Sequence, residues 1–253
     1  MSQEGTVTNG VSRIAVLGFF LAVIAALAAM LAGLGARWGW WEYGTGFQVL
    51  RWAVYGAIAG AAVSLLGVVL ALRSPRRGGV VLALLGLAIG LVTVYVPWQW
   101  RQTARSVPPI HDITTDLQDP PPFEAILPLR ADAPNPSEYG GDSIAQQQRE
   151  GYPDLEPLVL EAPPAEVFRL AENTARDMGW EIVDSDRDEG RIEATDTTFW
   201  FGFKDDVVVR ITERPQGGTR VDVRSVSRVG RSDVGTNAAR IQEYLDKLAA
   251  ARG

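Results

Sequence analysis

The stretch TRVDVRSVSRVGRSDVGTNAARIQEYLDKL, residues 219–248, changes its period halfway along. From Thr219 to Arg228 apolar and polar residues alternate. Val221 and Val223 fall on one side, and Arg220, Asp222 and Arg224 on the other, as in a strand with one covered face. From Val234 on, Ala238, Ile241, Leu245 and Leu248 recur at spacings of four and three, which predicts an amphipathic helix. Between the two lies VGRSDVG, where Gly230 and Gly235 free the backbone to turn and Ser232 or Asp233 can cap the helix. Strand, tight turn and helix is the expected order.

Upstream, the same pattern-reading extends the element order to the N-terminal side. LVLEA, from Leu158, reads as a short strand. The helix that follows, PPAEVFRLAENTARDMG, has Pro163 and Pro164 at its start and Gly179 just past its end. Its buried stripe is Val167, Phe168, Ala171, Ala175 and Met178. WEIVDS, RIEATDTT, VVVRITER and TRVDVRSVSR then form a meander, with turns expected at DRDEG, at Lys204–Asp206 and at PQGG. FWFGF, residues 199–203, continues a strand or adds one. Either Phe199, Phe201 and Phe203 enter the core and leave Trp200 outside, or the reverse. The expected fold class is α+β: three transmembrane helices, then an antiparallel sheet with two helices packed on one face.

The membrane part rests on three uncharged apolar runs, Ile14–Ala36, Trp52–Leu72 and Gly79–Val96, each near the ~20 residues that cross a bilayer. The first is too long for a signal peptide and two more follow it. The loop RSPRRGG carries Arg73, Arg76 and Arg77, so it is expected in the cytoplasm, with the N-terminus beside it and everything after Val96 outside. Trp38, Trp40, Trp41, Trp52, Trp98 and Trp100 then share the outer interface. The spans offer no charged group for a proton or ion pathway, which favours an anchor or docking surface over a transporter. Gly56 with Gly60, and Gly86 with Gly90, are spaced for close helix approach. They serve either self-association or another membrane protein, or packing within this bundle. The expected organisation is a membrane anchor over 1–100, a Pro-rich tether over 101–157 and an extracytoplasmic α+β domain over 158–253.

Charge divides the chain the same way. Residues 1–100 hold six basic and two acidic side chains, and residues 101–253 hold 18 and 28. An acidic soluble part argues against nucleic acid. No cysteine is present and only one histidine, so thiolate chemistry and a His-rich metal site are both excluded, and no cofactor is expected. The tether holds ten of the 15 prolines, yet IHDITTDLQDPPPF mixes in Ile110, Ile113, Leu117 and Phe123, which suggests a segment laid along a surface. DSIAQQQREG, residues 142–151, is expected to form a short helix.

PPIHDITTDLQDPPPF, REGYPDLEPL and RSVSRVGRSDVGTNAARIQEYLDKL together resemble the family known as domain of unknown function 1499. In that family an HDITTD segment precedes the domain, and the run beginning Ser227–Arg228 and ending Arg240–Ile241 opens the last helix. The resemblance covers about residues 106–250, leaves out the spans, and implies no reaction, cofactor or catalytic residue.

The candidate site is the polar cluster Ser227, Arg228, Arg231, Ser232, Asp233, Asn237 and Arg240, together with His111, Asp112 and Asp116 of the HDITTD segment. An exposed helix N-terminus beside Arg228 and Arg231 would suit a phosphate or carboxylate; alternatively Asp233 is itself the anion. His111 and Asp112 with Ser225, Ser227 or Ser232 would make a hydrolase triad, although no nucleophile-elbow motif accompanies them. The sequence therefore carries two principal readings, a non-catalytic binding or protein-interaction module on a bacterial inner membrane and a membrane-anchored hydrolase.

Overall fold

The computed structural model describes residues 12–73 and 79–252, and the chain divides into two units. Arg76 and Arg77, on which the expected orientation leans, lie outside the described residues.

The first unit is built on three helices, α1 (Arg13–Arg37), α2 (Tyr43–Arg73) and α3 (Val80–Ser106). All three are long and apolar enough to cross a membrane. The expected spans are therefore helical, and α2 and α3 run on beyond them, α2 starting earlier at Tyr43 and α3 continuing through Pro97. Small residues set the packing. A Cβ added at Gly60 would lie 2.8 Å from the Ala22 nitrogen, one at Gly86 2.8 Å from the Phe19 Cα, and one at Gly90 2.9 Å from the Ala57 carbonyl oxygen. One at Gly56 would meet only the Ala25 methyl, at 3.4 Å. Three of the four spaced glycines thus hold close approaches inside the bundle.

The second unit begins within α3, at Gln102, and is an antiparallel sheet with helices on one face. Its strands are β1 (Asp112–Thr114), β2 (Leu158–Leu160), β3 (Glu181–Asp186), β4 (Arg191–Thr197), β5 (Lys204–Glu213) and β6 (Thr219–Ser227). The order is β1-β6-β5-β4-β3, and β2 pairs with the other half of β6. The helices are α4 (Asp142–Gly151), α5 (Pro164–Asp177) and α6 (Thr236–Ala250). On the covered face Ile192, Ala194, Val207, Val209, Ile211, Val221 and Val223 meet Val167, Phe168, Ala171 and Ala175 of α5 and Ile241, Leu245 and Leu248 of α6. Trp180 stacks on Tyr244 at 4.9 Å, and the Tyr244 hydroxyl donates to the Ala171 carbonyl at 3.0 Å, which gives the one polar atom of that ring a partner in the core. The alternation of β6 and the stripes of α5 and α6 therefore have the outcome their periods imply. The open edge β3 carries a bulge between Ile182 and Asp184, which bends the free edge away from regular pairing.

The opposite face of the sheet is covered too, by chain without regular helix or strand. Residues 115–139, which include a short 3-10 turn at Leu127–Arg130, lie over it, and Phe123 and Ile126 pack on Val208 and Val226. Glu193, fully buried, accepts hydrogen bonds from the backbone amides of Glu124 (2.8 Å), Ala125 (3.1 Å) and Ile126 (2.9 Å). A carboxylate from the sheet thus serves backbone donors that a strand or helix would otherwise have served.

Three local expectations change. Lys204–Asp206 is not a turn but the start of β5, and Asp205 and Asp206 are buried strand residues opposite Ser227 and Val226. Their carboxylates tolerate that position because arginines reach both of them. The turn falls instead on 198–203, closed by Thr198 N–H donating to the Phe203 carbonyl and Phe203 N–H donating to the Thr198 hydroxyl, each at 2.9 Å. Neither alternation expected for FWFGF holds: Phe199 is 83% exposed, Phe201 is buried, and Trp200–Gly202 belong to the helical unit. Val234 also leaves the stripe assigned to the last helix, because α6 starts two residues later and Val234 is a turn residue with φ of 57°.

Candidate functional site

The junction between β6 and α6 and the HDITTD segment are tied together by hydrogen bonds. Ser227 N–H donates to the His111 carbonyl at 3.0 Å and Asp233 N–H to the Ile110 carbonyl at 3.1 Å. Asn237, fully buried on the first turn of α6, donates from Nδ2 to the His111 carbonyl (2.9 Å) and to Ser227 Oγ (3.0 Å), and accepts from Ser225 Oγ (2.8 Å). Arg240 lies one turn further. Its guanidinium donates to Asp196 (2.8 Å), Asp205 (2.6 Å), Ser225 Oγ (3.1 Å) and Asn237 Oδ1. A buried guanidinium seeks acceptors for its five donors, and here β4, β5, β6 and α6 supply four.

Asp233 caps α6. Its two carboxylate oxygens accept from the amides of Gly235 (2.8 Å) and Asn237 (2.9 Å), and Ser232 Oγ accepts from Val234 N–H. The helix N-terminus is thus occupied by the chain's own anion. Burial pushes the Asp233 carboxyl up from its ordinary value, with Asp205 adding to that shift, although the two amides and Arg240 oppose it.

The remaining candidates lie on the other face of the sheet. Arg224 holds Asp112 through two parallel bonds of 2.9 and 2.8 Å and donates to the carbonyls of Pro121 and Ser137. Arg228 and Arg130 share Asp206, which also accepts from Thr195 Oγ. Asp116 takes Arg210 and Arg220 on one oxygen and the amides of Gln118 and Asp119 on the other. Burial alone would raise the Asp116 carboxyl, but those two amides and the two arginines outweigh it and hold the group below its ordinary value.

The ten candidates therefore separate into two internal networks, one on each side of β6, with Arg231 apart and exposed. His111 does not meet the groups a triad requires. Its Nδ1 lies 3.3 Å from the Arg231 carbonyl, while the Asp112 carboxylate is taken by Arg224, and Ser225, Ser227 and Ser232 are each held by neighbours.

Beside the α6 network the surface opens into a groove of about 930 Å³ walled by Tyr152, Trp180, Val234, Gly235, Ala239 and Arg240. That volume is in the range of small-ligand sites. The Tyr152 hydroxyl is buried with no hydrogen-bond partner, and burial together with the charge of Asp233 pushes its phenol up to about 12, so it stays neutral. Val234 holds a backbone conformation that a β-branched residue rarely adopts. Sequence reasoning passed over Tyr152 and Trp180. One sits in the REGYPDLEPL segment and the other directly precedes β3, and nothing in either local pattern marks them as neighbours.

Three helices long and apolar enough to cross a membrane, followed by an α+β domain with buried ion pairs and an open groove, define a membrane protein with a separately folded α+β module. Residues 112–248, more than half of the chain, match the family model described as Protein of unknown function (DUF1499), and the chain belongs to that family. No curated protein matches it.

Proposed function

We propose that the protein is a non-catalytic binding module held on a bacterial cytoplasmic membrane, with its N-terminus cytoplasmic and its α+β domain in the periplasm. The basic loop with Arg73, Arg76 and Arg77 supports that orientation, as do the tryptophans gathered around the opposite helix ends. The ligand lies in the groove along α6, with Val234 and Ala239 offering apolar surface and the Tyr152 phenol a neutral hydrogen-bonding group.

One observation carries this reading: the groups that would do acid–base or nucleophilic chemistry are engaged by internal partners, while the groove next to them is open. Native mass spectrometry of the full chain, extracted from its own membrane in mild detergent, tests it. The expected result is a discrete added mass that Ala239→Trp, which fills the groove, removes. Bare chain in both preparations contradicts it. Turnover of an ester or amide panel that His111→Ala abolishes without loss of folding would establish the hydrolase instead.

A further inference from the structure

The loop between β4 and β5 is short and closed on itself by the two hydrogen bonds between Thr198 and Phe203, yet it presents four aromatic residues within five positions. Three of its residues, Trp200–Gly202, are part of the helical unit. There the Trp200 indole N–H donates to the Met30 carbonyl of α1 at 2.9 Å, and its ring meets Trp100 of α3 edge to face at 5.0 Å. Phe201 stacks on Phe47 of α2 at 4.8 Å. Glycines make the room: a Cβ at Gly33 would overlap the Trp200 ring, and one at Gly46 would stand 3.0 Å from the Phe201 ring. The surrounding helix ends carry exposed Trp38, Trp40, Tyr43, Trp98 and Trp100. Indole and phenol rings concentrate at that depth of a bilayer, where one part of the ring is dry and another wet.

Phe199 precedes Trp200, so its Cα lies one peptide, about 3.8 Å, from that of Trp200. It is 83% exposed, the greatest exposure of any large apolar side chain among the described residues. A single exposed phenylalanine needs no explanation in itself, but this one is joined directly to Trp200, which is seated among the ends of apolar helices. Lys204, also exposed, follows at the other foot of the loop and suits anionic headgroups.

We propose that residues 199–204 form a second membrane attachment, in which Phe199 enters the headgroup–acyl boundary of the bilayer that the three helices cross. This rests on the membrane reading, and site-directed labelling separates the two. The chain has no cysteine, so single substitutions label cleanly. Spin labels are placed on the full chain in vesicles of phosphatidylethanolamine and phosphatidylglycerol at Phe199→Cys, at Ile58→Cys on the outer side of α2, and at Gln216→Cys in the exposed β5–β6 turn. Expected is an oxygen-to-nickel accessibility ratio at 199 several-fold above that at 216 and approaching that at 58. A water-like ratio at 199 with a lipid-like ratio at 58 overturns the loop attachment alone. A label at 199 shielded from both reagents also overturns it, by showing that protein covers the position. A water-like ratio at 58 overturns the membrane reading beneath it.

Discussion

The two faces of the sheet divide their stabilisation differently between apolar contact and buried charge. The face under α5 and α6 is mainly an apolar core, with its buried polar groups, Arg240, Asp205, Ser225 and Asn237, gathered where α6 begins. The face under residues 115–139 has only the small cluster of Phe123, Ile126, Val208 and Val226, and around it run buried ion pairs: Arg224 with Asp112, and Arg130 and Arg228 with Asp206. On the first face loss of a methyl is a local, graded matter. On the second, removing one member strands a charge in the interior, and that costs far more than the intact pair contributes. The difference explains why a proline-rich stretch with little regular structure can be fixed in place: its carbonyls, amides and aspartates are the partners that the sheet's charges need.

The sharpest way to break this contrast is Asp206→Ala. It leaves Arg130 and Arg228 facing each other with no carboxylate between them, and a loss of about 3–5 kcal/mol is expected in denaturant titration of the full chain in detergent. Desolvation already lowers the Arg130 guanidinium from its ordinary value despite the opposing charge of Asp206, and repulsion from Arg228 and Arg224 adds to that. The matching change on the apolar face is smaller: Ile241→Val should cost about 0.5–1.5 kcal/mol with no change of cooperativity.

The smallest effect sharpens the comparison through pH. The Asp116 carboxyl is lowered in the fold, so the stability it contributes is complete above its unfolded pKa of about 3.9 and is lost as pH falls through the lower folded value. Asp116→Asn should therefore lower the melting temperature by a constant amount between pH 5 and 7, with the gap to the unsubstituted chain closing below about pH 4. A gap that persisted unchanged at low pH would remove the carboxylate from the account.

Much of the fold was legible in the sequence, and the reason is periodicity. The three spans, the stripes of α5 and α6, α4 at 142–151 and the alternation of β6 each depend on residues near one another in the chain. The misreadings have the opposite origin. Asp205 and Asp206 look like turn residues because their neutralising arginines, Arg240, Arg228 and Arg130, lie 22 or more positions away. FWFGF looks like a strand because nothing local records that Gly33 and Gly46 clear space for Trp200 and Phe201. For the site, the polar residues were all visible, but their division between two faces depends on register, and the groove's Tyr152 and Trp180 come together only through folding.

The central claim is that the charged residues of the HDITTD and RSVSR segments bind the fold together. A double-mutant cycle on Asp112→Ala and Arg224→Met, read by denaturation midpoint, tests it most directly. Each single change should cost about 3 kcal/mol or more, and the double change clearly less than their sum, because the two charges then leave together. Single changes that left the midpoint where it was would contradict the claim and return both residues to the candidates for binding or catalysis.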